Sequence, residues 1–240
     1  MLISTRGIVF RAVKYGETSI IADIFTETHG LQSCIINGVR KAGSKTQAGL
    51  LQLMSIVELV LYHRPDQHLH RISEIRSAYV YQRMPFDIRR SAVGQFMTEL
   101  CRKTIRETEE NRPLFLWLYE RFTFLDQTAH TVANYHLHFM LELSVFLGFV
   151  PGEDWSPETP FFDVKEGLFS PRPAHHYYLD EQLSRVLYSL LTCAHTDTHL
   201  ISMGTMERRR LLQELITFYR FHLEHFPEMH AHHILQEVFE

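Results

Sequence analysis

The run Ile8-Val9-Phe10-Arg11-Ala12-Val13-Lys14-Tyr15-Gly16-Glu17-Thr18-Ser19-Ile20-Ile21-Ala22-Asp23-Ile24-Phe25-Thr26 decides how the first third of the chain folds. Ile8–Tyr15 and Ser19–Thr26 are rich in β-branched and aromatic residues, and Tyr15-Gly16-Glu17 between them has turn chemistry, so both read as strands. Leu31–Ile36, Leu53–Tyr62 and Leu69–Val80 read the same way, with turns at His29-Gly30 and Arg64-Pro65-Asp66. Alternation is imperfect. Met54, Ile56, Val60 and Tyr62 share one face, while Leu53, Val57, Leu59 and Leu61 fill the other. Strands apolar on both faces need a core inside and a neighbour outside. Five short strands with a long loop after the third have the proportions of an OB-type barrel. An SH3-like barrel has a similar count, so strand counting leaves both open.

The long loop is unusual in its charge. Between Glu27 and Glu58 there is no acidic residue, and Asn37-Gly38-Val39-Arg40-Lys41-Ala42-Gly43-Ser44-Lys45 carries the only charges of that stretch. A Gly/Ser segment with cations and no carboxylates can approach a polyanion without neutralising itself. Residues 1–80 hold nine Lys/Arg against six Asp/Glu, although the 240-residue chain has a net charge of -4. That asymmetry suggests that the N-terminal part meets an anion; a solvated basic face is the bland alternative.

From Pro85 the apolar period turns helical. Residues 87–108 begin at Asp87, a candidate N-cap; further helices are expected over Pro113–Asp126, 131–147, Asp180–Ala194, Met206–His225 and 229–239. Their apolar stripes are core positions. Residues 151–179 interrupt this pattern with five of the nine prolines and a short hairpin over Phe161–Phe169. The expected class is α+β: an OB-type barrel over 1–80, then a mostly α-helical domain over 81–240 carrying a β-hairpin insertion.

The chemistry of a catalyst is sparse. Cys34, Cys101 and Cys193 show no Cys-x-x-Cys spacing, which excludes a cysteine knuckle and argues against a secreted disulfide scaffold. Sixteen histidines invite a metal reading, yet no His-Glu-x-x-His occurs and no His/carboxylate group has zinc spacing. His136 and His138 flank an apolar helical residue, so they point in different directions. Gly-x-Gly-x-x-Gly, Walker and Gly-x-Ser-x-Gly patterns are missing. The N-terminus has no apolar signal segment, and the run Leu50–Tyr62 is too polar to span a membrane, so a cytoplasmic location is expected.

Nucleic-acid binding has more support, because Lys and Arg on loops make phosphate contacts without reading bases. The candidate DNA-binding residues are Arg40, Lys41 and Lys45, with Arg6, Arg11 and Lys14 on or beside the first strand. Phe10, Tyr15, Phe25 and Tyr62 are candidate stacking aromatics, with core packing the alternative for Phe10 and Phe25. Arg208, Arg209 and Arg210 could attract an acidic peptide; a solvated helix start is the alternative. Two competing classes are a metal-dependent enzyme using the His-rich C-terminal third, and a protein-binding adaptor with an incidental basic loop.

Arg6 to Ser19, Ile24-Phe25-Thr26-Glu27-Thr28-His29-Gly30, Gly38-Val39-Arg40-Lys41 and Leu147-Gly148-Phe149-Val150-Pro151, taken in order, resemble the RecO family of bacterial recombinational-repair mediators. The resemblance implies an OB barrel on a helical domain, binding of single- and double-stranded DNA, and annealing of complementary strands. It also implies joint action with RecR in loading the RecA recombinase onto DNA covered by single-strand-binding protein, whose acidic C-terminal tail such proteins bind. A nucleoid-associated location follows, with no chemical step, no cofactor and no membrane. Many relatives carry a mostly cysteine zinc knuckle in the insertion. Here residues 151–179 contain no cysteine and only His175 and His176. No metal is therefore expected, and Trp155, Phe161, Phe162, Phe169, Tyr177 and Tyr178 are expected to stabilise the segment instead.

Overall fold

A computed structural model of the chain describes residues 1–37, 49–64 and 66–239. The first five strands are β1 (Leu2–Tyr15), β2 (Ser19–Thr26), β3 (Gly30–Ile36), β4 (Ile56–Tyr62) and β5 (Leu69–Tyr79). They close into a barrel in the order β1-β2-β3-β5-β4, with β4 returning to pair with β1. Neighbours are antiparallel except β3 and β5, which run parallel. That single parallel closure by way of the β3–β4 connection is the OB topology and not an SH3-like one.

The imperfect alternation has a local cause. The β1–β2 register slips between Val9 and Arg11, so Phe10 is a bulged residue. Ile3 and Val9 therefore face the barrel core before the bulge and Ala12 packs against it after, joined by Ile24, Cys34, Val57, Leu59, Leu61 and Ile72. Ile8, Phe10 and Phe25 lie outside that cluster yet are fully buried. Their cover is a helix, α2 (Arg112–Gln127), whose Phe115 ring sits 6.3 Å from Phe25, itself stacked on Phe10 at 5.8 Å. β4 starts later than the expected Leu53. Met54 has φ 71°, donates its N–H to Val9 O at 2.9 Å, and accepts the Tyr81 hydroxyl at 2.8 Å, so residues before Ser55 form a turn.

The chain divides into two compact units, Met1–Phe86 with Thr98–Gln127, and Asp87–Met97 with Thr128–Glu240. The first unit holds the barrel and α2, and the division falls inside α1 (Ile88–Thr104). Asp87 caps α1 by accepting the N–H of Arg89 at 2.9 Å. In the second unit, α3 (Tyr135–Phe146) is followed by β6 (Phe161–Asp163), β7 (Leu168–Ser170) and β8 (Tyr178–Leu179). The expected hairpin thus gains a third strand, paired in the order β7-β6-β8. Then come α4 (Glu181–Thr192), α5 (Thr205–His222) and α6 (Ala231–Val238). Asp180 caps α4 through the Leu183 N–H at 3.0 Å.

The cysteine-free insertion is held by aromatic packing. Phe162 meets Phe169 at 5.1 Å and Phe218 at 6.2 Å, while Trp155 stacks on Tyr188 at 5.5 Å beneath the Arg185 guanidinium. His175 Nε2 lies 3.2 Å from Asp163 Oδ2, and among the described residues no three His, Cys, Asp or Glu side chains are grouped to hold a metal ion. The donor set of this segment does not fit a four-ligand zinc centre.

Candidate nucleic-acid interface

The barrel's cations fall into three kinds. Arg40, Lys41 and Lys45 lie outside the described residues. Arg6 is committed to the protein: Nε and Nη2 donate to the two Glu27 carboxylate oxygens at 2.8 and 3.0 Å. Its guanidinium also lies over the rings of Phe115 and Tyr119 on α2, at 5.5 and 5.1 Å. The Glu27 hydrogen bond, working against burial, raises the Arg6 pKa; the same bond holds the Glu27 carboxyl below its usual range. Arg112 approaches Glu27 as well, at 3.3 Å. Arg11, farther along β1, faces its cross-strand partner Asp23 at 3.5 Å. Lys14 is exposed at the end of β1, and among the described residues it has no ion-pair partner.

The aromatics divide the same way. Phe10 and Phe25 are fully buried under α2 and cannot receive a base, whereas Tyr15 and Tyr62 are 57% and 46% exposed. Tyr15 sits next to Lys14 at the β1–β2 turn, where Gly16 takes φ +58°. Tyr62 lies at the other end of β1, opposite Leu2, and on β5 it faces Arg71. Arg64 and Arg71, exposed near Tyr62, were not expected from the sequence; the signal was a hairpin with two arginines and only Asp66 to oppose them.

The three candidate arginines of the helical region are engaged with their own chain. Arg208 donates to Asn134 Oδ1 and to Met203 O, both at 3.0 Å, and burial lowers its pKa. Arg209 donates to Gln236 O at 2.9 Å, and Arg210 pairs with Asp180. Two histidines of α3 are buried. His136, fully buried near Phe96, is driven down to about 3 by desolvation, so it is neutral. His138, two residues on, is also desolvated, but the Cys193 carbonyl at 3.1 Å and the Glu142 carboxylate at 3.4 Å outweigh burial and lift it to about 9. α5 ends at His222, and His225 takes φ 56° beyond it, so the two do not share a helix face. Burial pushes the Cys34 thiol up to about 12, which makes it inert.

Two family models cover the chain: Recombination protein O N terminal over residues 1–81, and Recombination protein O C terminal over 85–231. The chain belongs to the RecO family. A protein of Phocaeicola vulgatus named DNA repair protein RecO is 33% identical over 240 residues, covering all of both chains. Relatives of the same name from Bacteroides fragilis and Christiangramia forsetii are 34% and 32% identical, again over the full length of both chains. Gly30, which ends the Phe25-Thr26 motif, has φ +60° and admits the backbone of Glu107–Glu109 against it, with Leu31 donating its N–H to Glu107 O at 2.9 Å. No helix among the described residues is long and apolar enough to cross a membrane.

Proposed function

We propose that this RecO-family chain is a non-enzymatic DNA-repair mediator. Its barrel binds single- and double-stranded DNA, it anneals complementary strands, and it acts with RecR to help load RecA onto DNA covered by single-strand-binding protein. Residues 1–80 serve as the DNA-binding domain and 81–240 as the partner domain. The observation that carries this reading is the pairing of full-length RecO membership with a closed OB-topology barrel. Barrels of this topology commonly hold nucleic acid by a cationic surface with exposed aromatics.

Within the barrel, Arg40, Lys41 and Lys45 of the acid-free segment supply the main phosphate contacts, assisted by Lys14 and Tyr15 at the β1–β2 turn. Arg11 contributes when it exchanges the 3.5 Å Asp23 contact for phosphate. Arg6 acts indirectly, by fixing β1 against α2. The acidic tail of single-strand-binding protein docks on the helical domain, where Arg208–Arg210 would have to trade their internal contacts for it.

Strand annealing tests this reading. The protein is expected to accelerate pairing of complementary oligonucleotides at low salt. Substituting Ala for Arg40, Lys41 and Lys45 together is expected to slow that pairing about tenfold, since each lost phosphate contact weakens salt-dependent binding. No acceleration by the unsubstituted protein would overturn the function, and an unchanged rate for the triple variant would overturn the role of the three cations.

A further inference from the structure

The barrel closes through its shortest pairing, Ser33–Ile35 of β3 against Leu69–Arg71 of β5. A row of three histidines lies beside that seam. His63, which follows β4, has its ring centroid 4.7 Å from those of both His29, in the β2–β3 turn, and His70, on β5. The His63 and His70 rings are close to parallel, at 22°. His70 is 4% exposed and sits opposite Cys34 in the closing pair. Its Nδ1 is buried and has no hydrogen-bond partner among the described residues. His29 Nδ1 lies 2.8 Å from the Thr28 hydroxyl. His63 is tied in turn to the start of β1: its N–H donates to Met1 O, and the Met1 ammonium donates to His63 O, both at 2.9 Å. The row therefore joins the turn that leads into β3 to the end of β4 and the start of β5.

We propose that the His29–His63–His70 row is a proton-sensitive clasp on the barrel: neutral, it holds the β2–β3 turn to the β4–β5 hairpin, and charged, it releases the β3–β5 seam. Neutral imidazoles pack face against face, but two imidazolium rings at this spacing repel. A proton on His70 Nδ1 would also add a buried donor with no acceptor. Burial, and after it charge on His63, holds both His29 and His70 below the ordinary histidine range. The other groups around the row do not reverse this. Glu110 favours a proton on His29 and the Tyr62 backbone favours one on His70, while His29 and His68 oppose a charge on His70. The Met1 ammonium adds a further positive charge beside His63. With both folded-state values depressed, the unfolded chain takes up protons first. The stability that the clasp supplies is therefore fully present above the unfolded histidine value of about 6.5, and is lost as pH falls from there through the folded values. Among the described residues the three rings do not form a group that could hold a metal ion, so the proton is the ligand to which they respond.

The test is amide hydrogen exchange of the full chain, expressed as protection factors so that the intrinsic pH dependence of exchange cancels. Between about pH 7.5 and about pH 5.5, protection at residues 33–35 and 69–71 is expected to fall about tenfold, while the β1–β4 pairing keeps its own. His63→Phe retains a ring that packs but cannot charge. It removes the repulsion and leaves the burial of His29 and His70, so its seam is expected to lose only about threefold over the same range. Equal losses in the two proteins would overturn the clasp. A loss spread evenly over β1–β4 and the seam would do the same, because it would show acid unfolding of the whole barrel. Ring-proton titration of the unsubstituted chain reads the row without relying on the fold of a variant. His29 and His70 are expected to titrate below the ordinary histidine range and in coupled steps. Ordinary, independent titrations of these two rings would overturn the proposal.

Discussion

Asp126→Ala is expected to destabilise the barrel-containing unit by about 4 kcal/mol, because it strands three backbone donors and a hydroxyl at once, the Met84 N–H among them buried. Asp126 is fully buried near the end of α2. Its carboxylate accepts the N–H groups of Gln82 at 2.9 Å, Arg83 at 2.9 Å and Met84 at 2.7 Å, and the Tyr79 hydroxyl at 2.9 Å. These bonds fix the chain just after β5 against α2. A carboxylate is the right acceptor here: it has no proton of its own to direct at four donors. Asp126→Asn, with half of its amide a donor, is expected to cost about 2 kcal/mol. Desolvation alone would raise the Asp126 pKa, but the four hydrogen bonds outweigh it and the pKa is lowered. A depressed folded-state pKa contributes stability that is present above the ordinary Asp range and lost as pH falls through the folded value. Chemical denaturation over an acid series should therefore show wild type losing stability more steeply than Asp126→Ala. Equal acid limbs, or a wild-type-like midpoint for the Ala variant, would contradict this role.

Gly30→Ala is expected to have a comparable effect through the backbone alone. At φ +60° a Cβ costs about 1–2 kcal/mol of conformational energy. That Cβ would also lie 2.7 Å from Glu107 O and closer still to Glu109 O, neither of which is a flexible side-chain tip. Overpacking of this kind costs about 1–3 kcal/mol more, for a total of about 2–5 kcal/mol. In thermal unfolding the midpoint is expected to drop by about 10 °C, at about 2–4 °C per kcal/mol for a chain of this size. Gly16→Ala, at φ +58° but with open space around its would-be Cβ, should bear only the conformational part and serves as the comparison. Equal losses at the two positions would show that the 107–109 contact contributes nothing.

These two residues also mark where sequence reading reached its limit. The strands were legible because Ile8–Tyr15 and its successors carry β-formers between Gly-centred turns; their count left an OB-type and an SH3-like barrel both open, and the parallel pairing of β3 with β5 decides for the OB topology. Asp87 announced its helix by capping chemistry that operates within three residues, and the structure shows Asp180 capping a later helix in the same way. The cover of the outer barrel face was not legible. Apolar residues on both faces of β1 and β2 required some neighbour, but nothing local says that Phe115 and Tyr119, a hundred residues on, supply it. Nor could charge counting reveal that Arg6 is neutralised by Glu27 and Arg11 by Asp23, because both pairs exist only once the register is set. The bulge at Phe10 hid that register by reversing the in–out alternation midway along β1. Conversely, Arg64 and Arg71 gained interest only when pairing placed Arg71 opposite an exposed Tyr62.

The central claim is that the barrel of this RecO-family chain holds DNA by neutralising phosphates. The most direct measurement is the affinity of the full chain for a single-stranded oligonucleotide over a series of salt concentrations. With three cations from the acid-free segment engaged, the logarithm of the binding constant is expected to fall with the logarithm of salt at a slope of about -2 or steeper. A slope near zero, or no binding even at low salt, would contradict the account.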